Sequence, residues 1–252
     1  MSEVTRAETC VVACADLWRD AGEILASPFG LVPMIGARLA RATFSPELLM
    51  TDGEAMLGSG VWALDEQPQT VEGWLPFRTI LELAWGGSRH VVMMPSQVDS
   101  RGNANISYIG DDYQRPAVQL LGVRGAPGNT VNHPTSYWLP RHSTRALVPR
   151  VDMVCGVGYD SAAAAGPAAE RFLDLRRVVT NLAVLDFGGP DHAMRLVSLH
   201  PGVERAEVEA STGFELVVEG AVPETRAPSE EELRLIREVI DPTRLRDREV
   251  RP

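Results

Sequence analysis

Lysine is absent from this chain of 252 residues: all 24 basic residues are arginine. That excludes several chemistries together, because Schiff-base catalysis, pyridoxal phosphate attachment and the phosphate grip of a Walker motif all use a lysine ammonium. Arginine still offers a planar fork for carboxylate or phosphate. Cysteine is scarce as well. Cys10 and Cys14 stand four apart in a predicted helix and Cys155 is the odd thiol, so no framework of bridges is expected and a reducing compartment fits. No apolar run approaches the roughly 20 residues of a spanning helix. The first ten residues lack the basic and apolar regions of a leader. The expectation is a soluble, cytoplasmic protein with no membrane partner. Basic excess is missing too: the net charge of −10 leaves no cationic face for a phosphate backbone, so no nucleic-acid partner is expected.

What is present is a large apolar fraction, 44%, in a chain long enough to bury a sizeable core. We read one α/β domain spanning residues 1–252. Val4, Ala7, Val11, Val12, Ala15 and Trp18 form one helical stripe, with Ser2 and Thr5 as possible caps. A strand over 23–27, a tight loop over 28–33 and a helix over 35–43 follow. The next predicted strand, 48–51, ends in Asp52-Gly53-Glu54, a turn at a strand's carboxyl end, where open α/β sheets place ligands.

Further on, 77–85 reads as a helix and 91–94 as a buried strand. Strand-rich segments then cover 118–123, 145–148, 151–154, 178–187 and 194–199, with room for hairpins among them. Ala162–Ala165 reads as a loop ahead of Gly166-Pro167. The last helix opens at Ser229, where Glu232 completes a capping box, buries Leu233, Ile236 and Ile240, and is stopped by Asp241-Pro242.

The glycine-rich run from Gly122 through Arg124, Gly125 and Gly128 to Asn129 follows a predicted strand without a clear helix directly after it. It is read either as a surface turn or as a row of backbone donors for an anion. Gln97 to Asn105 is rich in turn-forming side chains, and Gln97 and Asp99 either hold that turn or shape a pocket floor. The histidines His90, His133, His142, His192 and His200 have no metal-helix spacing, so no metal is assigned. Neither Cys155 nor any serine has the local signature of a nucleophile. Asp52, Glu54 and Glu72 are the acidic candidates at loops.

These pieces form an ordered set. Pro28-Phe29-Gly30-Leu31, Ile35-Gly36-Ala37, Thr51-Asp52-Gly53, Gln97-Val98-Asp99, Gly102-Asn103-Ala104-Asn105, the glycine-rich loop and His200-Pro201-Gly202-Val203 follow one another. In that order they resemble the β subunits of class I coenzyme A transferases of the glutaconate type. Thr212-Gly213-Phe214 and the tail from Ile236 to Pro242 extend the match. The resemblance implies a layered α/β sandwich of the NagB/RpiA/CoA transferase-like class. It also implies a homologous α subunit, usually in an α2β2 assembly, and an acyl-CoA substrate whose coenzyme A arrives as part of the substrate rather than as a separate cofactor.

Two departures redirect the expected chemistry. Thr51 stands where the transferases keep the glutamate that carries coenzyme A, and a hydroxyl does not replace that carboxylate. Arg124 stands in place of a glycine of their oxyanion loop, and either pairs with a nearby acid or clamps a substrate carboxylate. With Cys155-Gly156-Val157-Gly158-Tyr159-Asp160 and Asp186-Phe187-Gly188-Gly189-Pro190, the chain is similar to the β subunits of actinobacterial hydrolases that open a carbocyclic ring of a steroid-derived coenzyme A thioester. That resemblance implies a catalytic base on the α subunit. It leaves Thr51, Asp52, Glu54, Gln97, Arg124, Gly125, Gly128 and Asn129 of this chain as substrate-binding candidates. The competing readings are a transferase that uses Glu54 or Glu72 as a relocated nucleophile, and a subunit that only stabilises its partner.

Overall fold

The computed structural model describes residues 3–52 and 55–251, so Ser2, Gly53 and Glu54 lie outside the described residues. The chain forms two compact units, Met1–Val92 with Thr225–Pro252, and Met93–Glu224.

In the first unit, helix α1 (Arg6–Ala15) starts at Thr5, whose hydroxyl and Glu8 form a reciprocal capping box. The helix is buried on all faces from Ala7 to Ala15 rather than along one stripe. Strand β1 (Leu25–Pro28) leads through Gly30 at φ 105° into α2 (Leu31–Thr43). The helix therefore starts ahead of the expected Ile35. Pro33 sits inside its first turn, where no N–H is needed. Gly36 permits close crossing of the two helices, since a Cβ there would lie 2.9 Å from the Ala15 nitrogen.

The expected strand at 48–51 reduces to two isolated bridges, Leu25 with Leu49 and Thr51 with Leu57. The segment changes partner after one pairing on each side. Strands β2 (Met56–Gly58) and β3 (Val71–Trp74) form a hairpin, helix α3 (Phe77–Gly86) follows, and β4 (Arg89–Met93) lies parallel to β1 with Leu25 opposite Arg89. Helix α3 has no buried residue; Phe77 and Trp85 are 80% and 74% exposed.

The second unit opens with two short hairpins, β5 (Gln97–Val98) with β6 (Ala104–Asn105) and β7 (Tyr108–Ile109) with β8 (Val118–Gln119). Helix α4 (Ala126–Asn132) and strand β9 (Pro134–Leu139) come next, then α5 (Tyr159–Ala165) and the single turn α6 (Pro167–Glu170). Strand β10 (Asp174–Thr180) runs parallel to β9 and continues antiparallel through β11 (Ala183–Asp186) and β12 (Arg195–Leu199). The unit ends with α7 (Arg205–Ala210).

Four expectations are corrected here. The strand at 118–123 is limited to β8. The segments 145–148 and 151–154 carry no strand, because Pro149 offers no ladder donor and only Leu147 makes a bridge, to Val98. Ala162–Ala165 is helix rather than loop, and the stop is Gly166 at φ 97°. The glycine-rich run does feed a helix, α4.

The chain returns to the first unit with α8 (Glu230–Arg234), capped by Ser229 and Glu232 and continued as a π-helical segment Leu235–Ile240. Ile236 and Ile240 are buried and Leu233 only partly so. No helix among the described residues is long and apolar enough to cross a membrane.

Candidate active-site pocket

Strand β1, helix α2, the bridge segment at 50–51 and helix α3 enclose a cavity of about 270 Å³ in the first unit. Leu25, Ala26, Met34, Met50, Ile80 and Leu83 supply its apolar wall; Thr51, Arg38 and Arg89 supply the polar one. The N-terminus of α2 faces no open site, because the Glu249 carboxylate accepts from the Leu31 and Val32 N–H groups at 2.8 and 3.0 Å.

Thr51, chosen from sequence, lines this cavity. Asp52 beside it holds the turn: its N–H donates to the Met56 carbonyl at 2.9 Å, and its Oδ1 accepts from the Met56 N–H at 3.1 Å. Glu72 is exposed on β3 and is not part of the cavity lining. Glu54 lies outside the described residues.

Arg38 is the functional candidate that sequence reading missed. It is 2% exposed. Its Nε donates to the Trp62 carbonyl and its Nη1 to the Met34 carbonyl, both at 3.2 Å, and the guanidinium stands 4.9 Å from the Trp62 ring centroid. Among the described residues no carboxylate pairs with it. Burial pushes its pKa down to about 10, and burial lowers that of Arg89 as well. The signal available in sequence was composition: α2 contains two arginines and no acid.

The other candidates belong to the second unit. Gln97 is buried, and its Oε1 accepts from Asn105 Nδ2 at 2.8 Å and the Asp152 N–H at 3.0 Å. Arg124 is exposed in the left-handed region at φ 47°, with its Nε donating to the Leu121 carbonyl at 3.2 Å. Gly125 is exposed, while Gly128 and Asn129 are buried within α4. The Ala126 and Asn129 N–H groups already donate to Val123 and Gly125 carbonyls, and Pro127 has no N–H, so the run offers few donors. Asn129 Nδ2 donates to Met93 Sδ at 3.5 Å.

Asp99 anchors a clamp rather than a pocket floor. Its Oδ1 accepts from the Arg101 and Asn103 N–H groups, Asn103 Nδ2 donates to Asp160 Oδ1 at 2.8 Å, and the Gly158 N–H donates to Asn103 Oδ1 at 2.7 Å. Burial raises the Asp99 pKa against the pull of these bonds. This clamp ties the segment 97–105 to 155–160 and accounts for both motifs structurally. Cys10, Cys14 and Cys155 are buried thiols outside any disulfide, and burial pushes the Cys10 thiol up to about 12. Among the described residues no cluster of side chains is placed to hold a metal ion.

No protein-family model matches the chain. It is 55% identical over 250 residues to the cholesterol ring-cleaving hydrolase IpdB subunit of Mycobacterium tuberculosis (strain ATCC 25618 / H37Rv), covering 98% of this chain and 99% of that protein. A chain of the IpdAB crystal structure from Rhodococcus jostii RHA1 matches with TM-score 0.93 and 53% identity, covering 100% of both. Glutaconate coenzyme A-transferase from Acidaminococcus fermentans shares the fold, with TM-score 0.79, 22% identity and coverage of 96% and 97%.

Proposed function

Because this chain belongs to the family of cholesterol ring-cleaving hydrolase IpdB subunits, we propose that it is the β subunit of a heteromeric enzyme that opens a carbocyclic ring of a steroid-derived coenzyme A thioester by hydrolysis of a C–C bond. The observation that carries the reading is full-length identity of 55% together with Thr51 on the wall of the cavity. A hydroxyl at that place suits a pocket wall and does not supply the acyl carrier of a transferase. Of the two relocated nucleophiles of the transferase reading, Glu72 is exposed and not part of the cavity lining, and Glu54 lies outside the described residues.

In this reaction one water adds to the ring ketone, the bond from that carbon to the carbon bearing the thioester breaks, and the electron pair passes to the thioester enolate. A proton on that carbon and a new carboxylate complete the balance. The base that activates water belongs to the α subunit in this reading. This chain contributes the pocket around Thr51, and Arg124 and Gly125 of the second unit are its further substrate contacts. Coenzyme A is part of the substrate, and no separate cofactor is invoked. The exposed stripe of Phe77, Leu81 and Trp85 on α3 supports an α subunit that covers it, in an α2β2 assembly. We infer that the assembly works in the cytoplasm.

The experiment uses the chain co-purified with its α subunit and a ring-intact steroid-derived coenzyme A thioester in ¹⁸O-labelled water. One labelled oxygen in the new carboxylate, with coenzyme A retained on the product, is the expected result. Transfer of coenzyme A to an added carboxylate, or an enzyme thioester trapped by hydroxylamine, would overturn it.

A further inference from the structure

We propose that the cavity beside Thr51 is a carboxylate pocket and that Arg38 holds a free carboxylate borne by the acyl group of the substrate. The proposal deepens the hydrolase reading and rests on it for the identity of the acyl group.

The argument starts from an arginine that no carboxylate among the described residues meets. The fold gives its other deeply buried arginine two carboxylates: Arg246, 3% exposed, donates from Nη1 to Asp241 at 2.8 Å and from Nη2 to Glu8 at 3.2 Å. Arg38 is as deeply buried, yet only two main-chain carbonyls and the Trp62 face meet it, and its Nη2 has no hydrogen bond among the described residues. A buried cation left in that state is costly unless an anion completes it. The guanidinium belongs to the cavity lining, and Arg89 on the same lining adds positive potential.

The rest of the lining selects among anions. Leu25, Met34, Met50 and Ile80 offer nothing to the hydrated oxygens of a phosphate, but suit a short hydrocarbon stem. About 270 Å³ is the room of roughly nine waters, too little for a whole acyl-CoA and enough for a carboxylated side arm. A planar carboxylate on a short stem meets both the guanidinium and the apolar wall.

The test measures binding of pentanoate, pentanamide and inorganic phosphate to the assembled enzyme by calorimetry, without turnover. Pentanoate should bind at least about tenfold more tightly than the amide or phosphate. Arg38→Met should weaken pentanoate at least about tenfold and leave the amide unchanged, and Arg38→Lys should recover part of the loss. Arg38→Met also removes hydrogen bonds to two carbonyls, so Ile80→Trp, which fills the cavity from α3 and leaves Arg38 untouched, serves as the second variant and should abolish pentanoate binding. No binding by the parent enzyme, equal binding of the amide, preference for phosphate, or pentanoate binding unchanged in Ile80→Trp would each overturn the proposal. Any of these leaves the ring-opening assay standing, and a failed ring-opening assay leaves pentanoate binding standing.

Discussion

Arg237 closes on Glu8 with two parallel hydrogen bonds, Nε to Oε1 at 2.7 Å and Nη2 to Oε2 at 2.8 Å, and so ties the last helical segment to the first helix. The same carboxylate accepts from the Thr5 N–H at 2.9 Å and from Arg246 at 3.2 Å. Burial alone would raise its pKa, but these donors, Arg237 foremost, hold it at about 2. Glu8→Gln should lower the unfolding free energy by about 3 kcal/mol, because two arginines lose their shared anion. Denaturant midpoints at unchanged m-value check this. A carboxyl depressed in the folded state stabilises fully above its unfolded pKa of 4.5 and loses that contribution as pH falls toward 2. The variant should therefore show a flatter acid limb over that window.

His142 gives a pH slope of the same sign from the opposite cause, burial of a neutral ring rather than pairing of a charge. The His142 ring is held between two hydroxyls, Nε2 at 2.9 Å from Thr212 Oγ1 and Nδ1 at 3.0 Å from Thr180 Oγ1. Burial pushes this ring's pKa down to about 4, so it stays neutral in the fold. Between the ordinary value of 6.5 and about 4 the unfolded chain binds a proton that the folded chain does not. Stability should fall as pH drops through that window. His142→Phe should remove this slope, and an identical slope in both proteins would sink the assignment.

Thr51→Glu places a carboxylate on the wall that also carries Arg38. The two should pair and occupy the cavity, lowering kcat/KM for ring opening by at least about tenfold. Unchanged ring opening would mean that the Thr51 side chain does not line the working pocket.

Arg124 occupies a backbone conformation that glycine adopts without strain. Arg124→Gly should therefore raise stability by up to about 1 kcal/mol, whereas Arg124→Ala should not. If the guanidinium meets substrate, both variants should lose about one to two orders of magnitude in kcat/KM, and the glycine variant should do so without loss of stability. Full activity in both would leave Arg124 with the loop alone.

Gly158 presses against main chain: a Cβ there would come within 2.4 Å of the Arg101 oxygen and the Asn103 nitrogen. Gly158→Ala should thus destabilise the second unit by about 3 kcal/mol or more, since no flexible side chain can yield. Thermal unfolding close to that of the parent would contradict the clamp.

What could be read beforehand was local. The Ser229 box was legible because its donors and acceptors lie within four residues, and the helix at 77–85 because its periodicity is complete. The errors came where a neighbour decided. Gly166-Pro167 suggested a loop before it, although the same pair serves as a helix stop and a fresh start. In the segment 145–154, Leu147, Val148 and Val151 are buried, and of these only Leu147 makes a bridge, so burial there reads like a strand without forming one. In the pocket, Thr51 was legible through the family resemblance, which sets it where the transferases keep their glutamate. Arg38 was not, because its isolation depends on which side chains of distant elements reach it, and no spacing along α2 reports that.

Helix α3 buries none of its residues fully and turns only Ile80 and Leu83 to the cavity, and ten residues are too few to hold a helix unaided in water. A surface that covers Phe77, Leu81 and Trp85 should therefore add to its stability. Joining the two subunits should then tighten this helix as well as bury its stripe, with a negative heat-capacity change as the measurement that checks it. The amides of this helix should exchange with solvent quickly in the isolated chain and slowly in the assembly, a clock for how long the two subunits stay together.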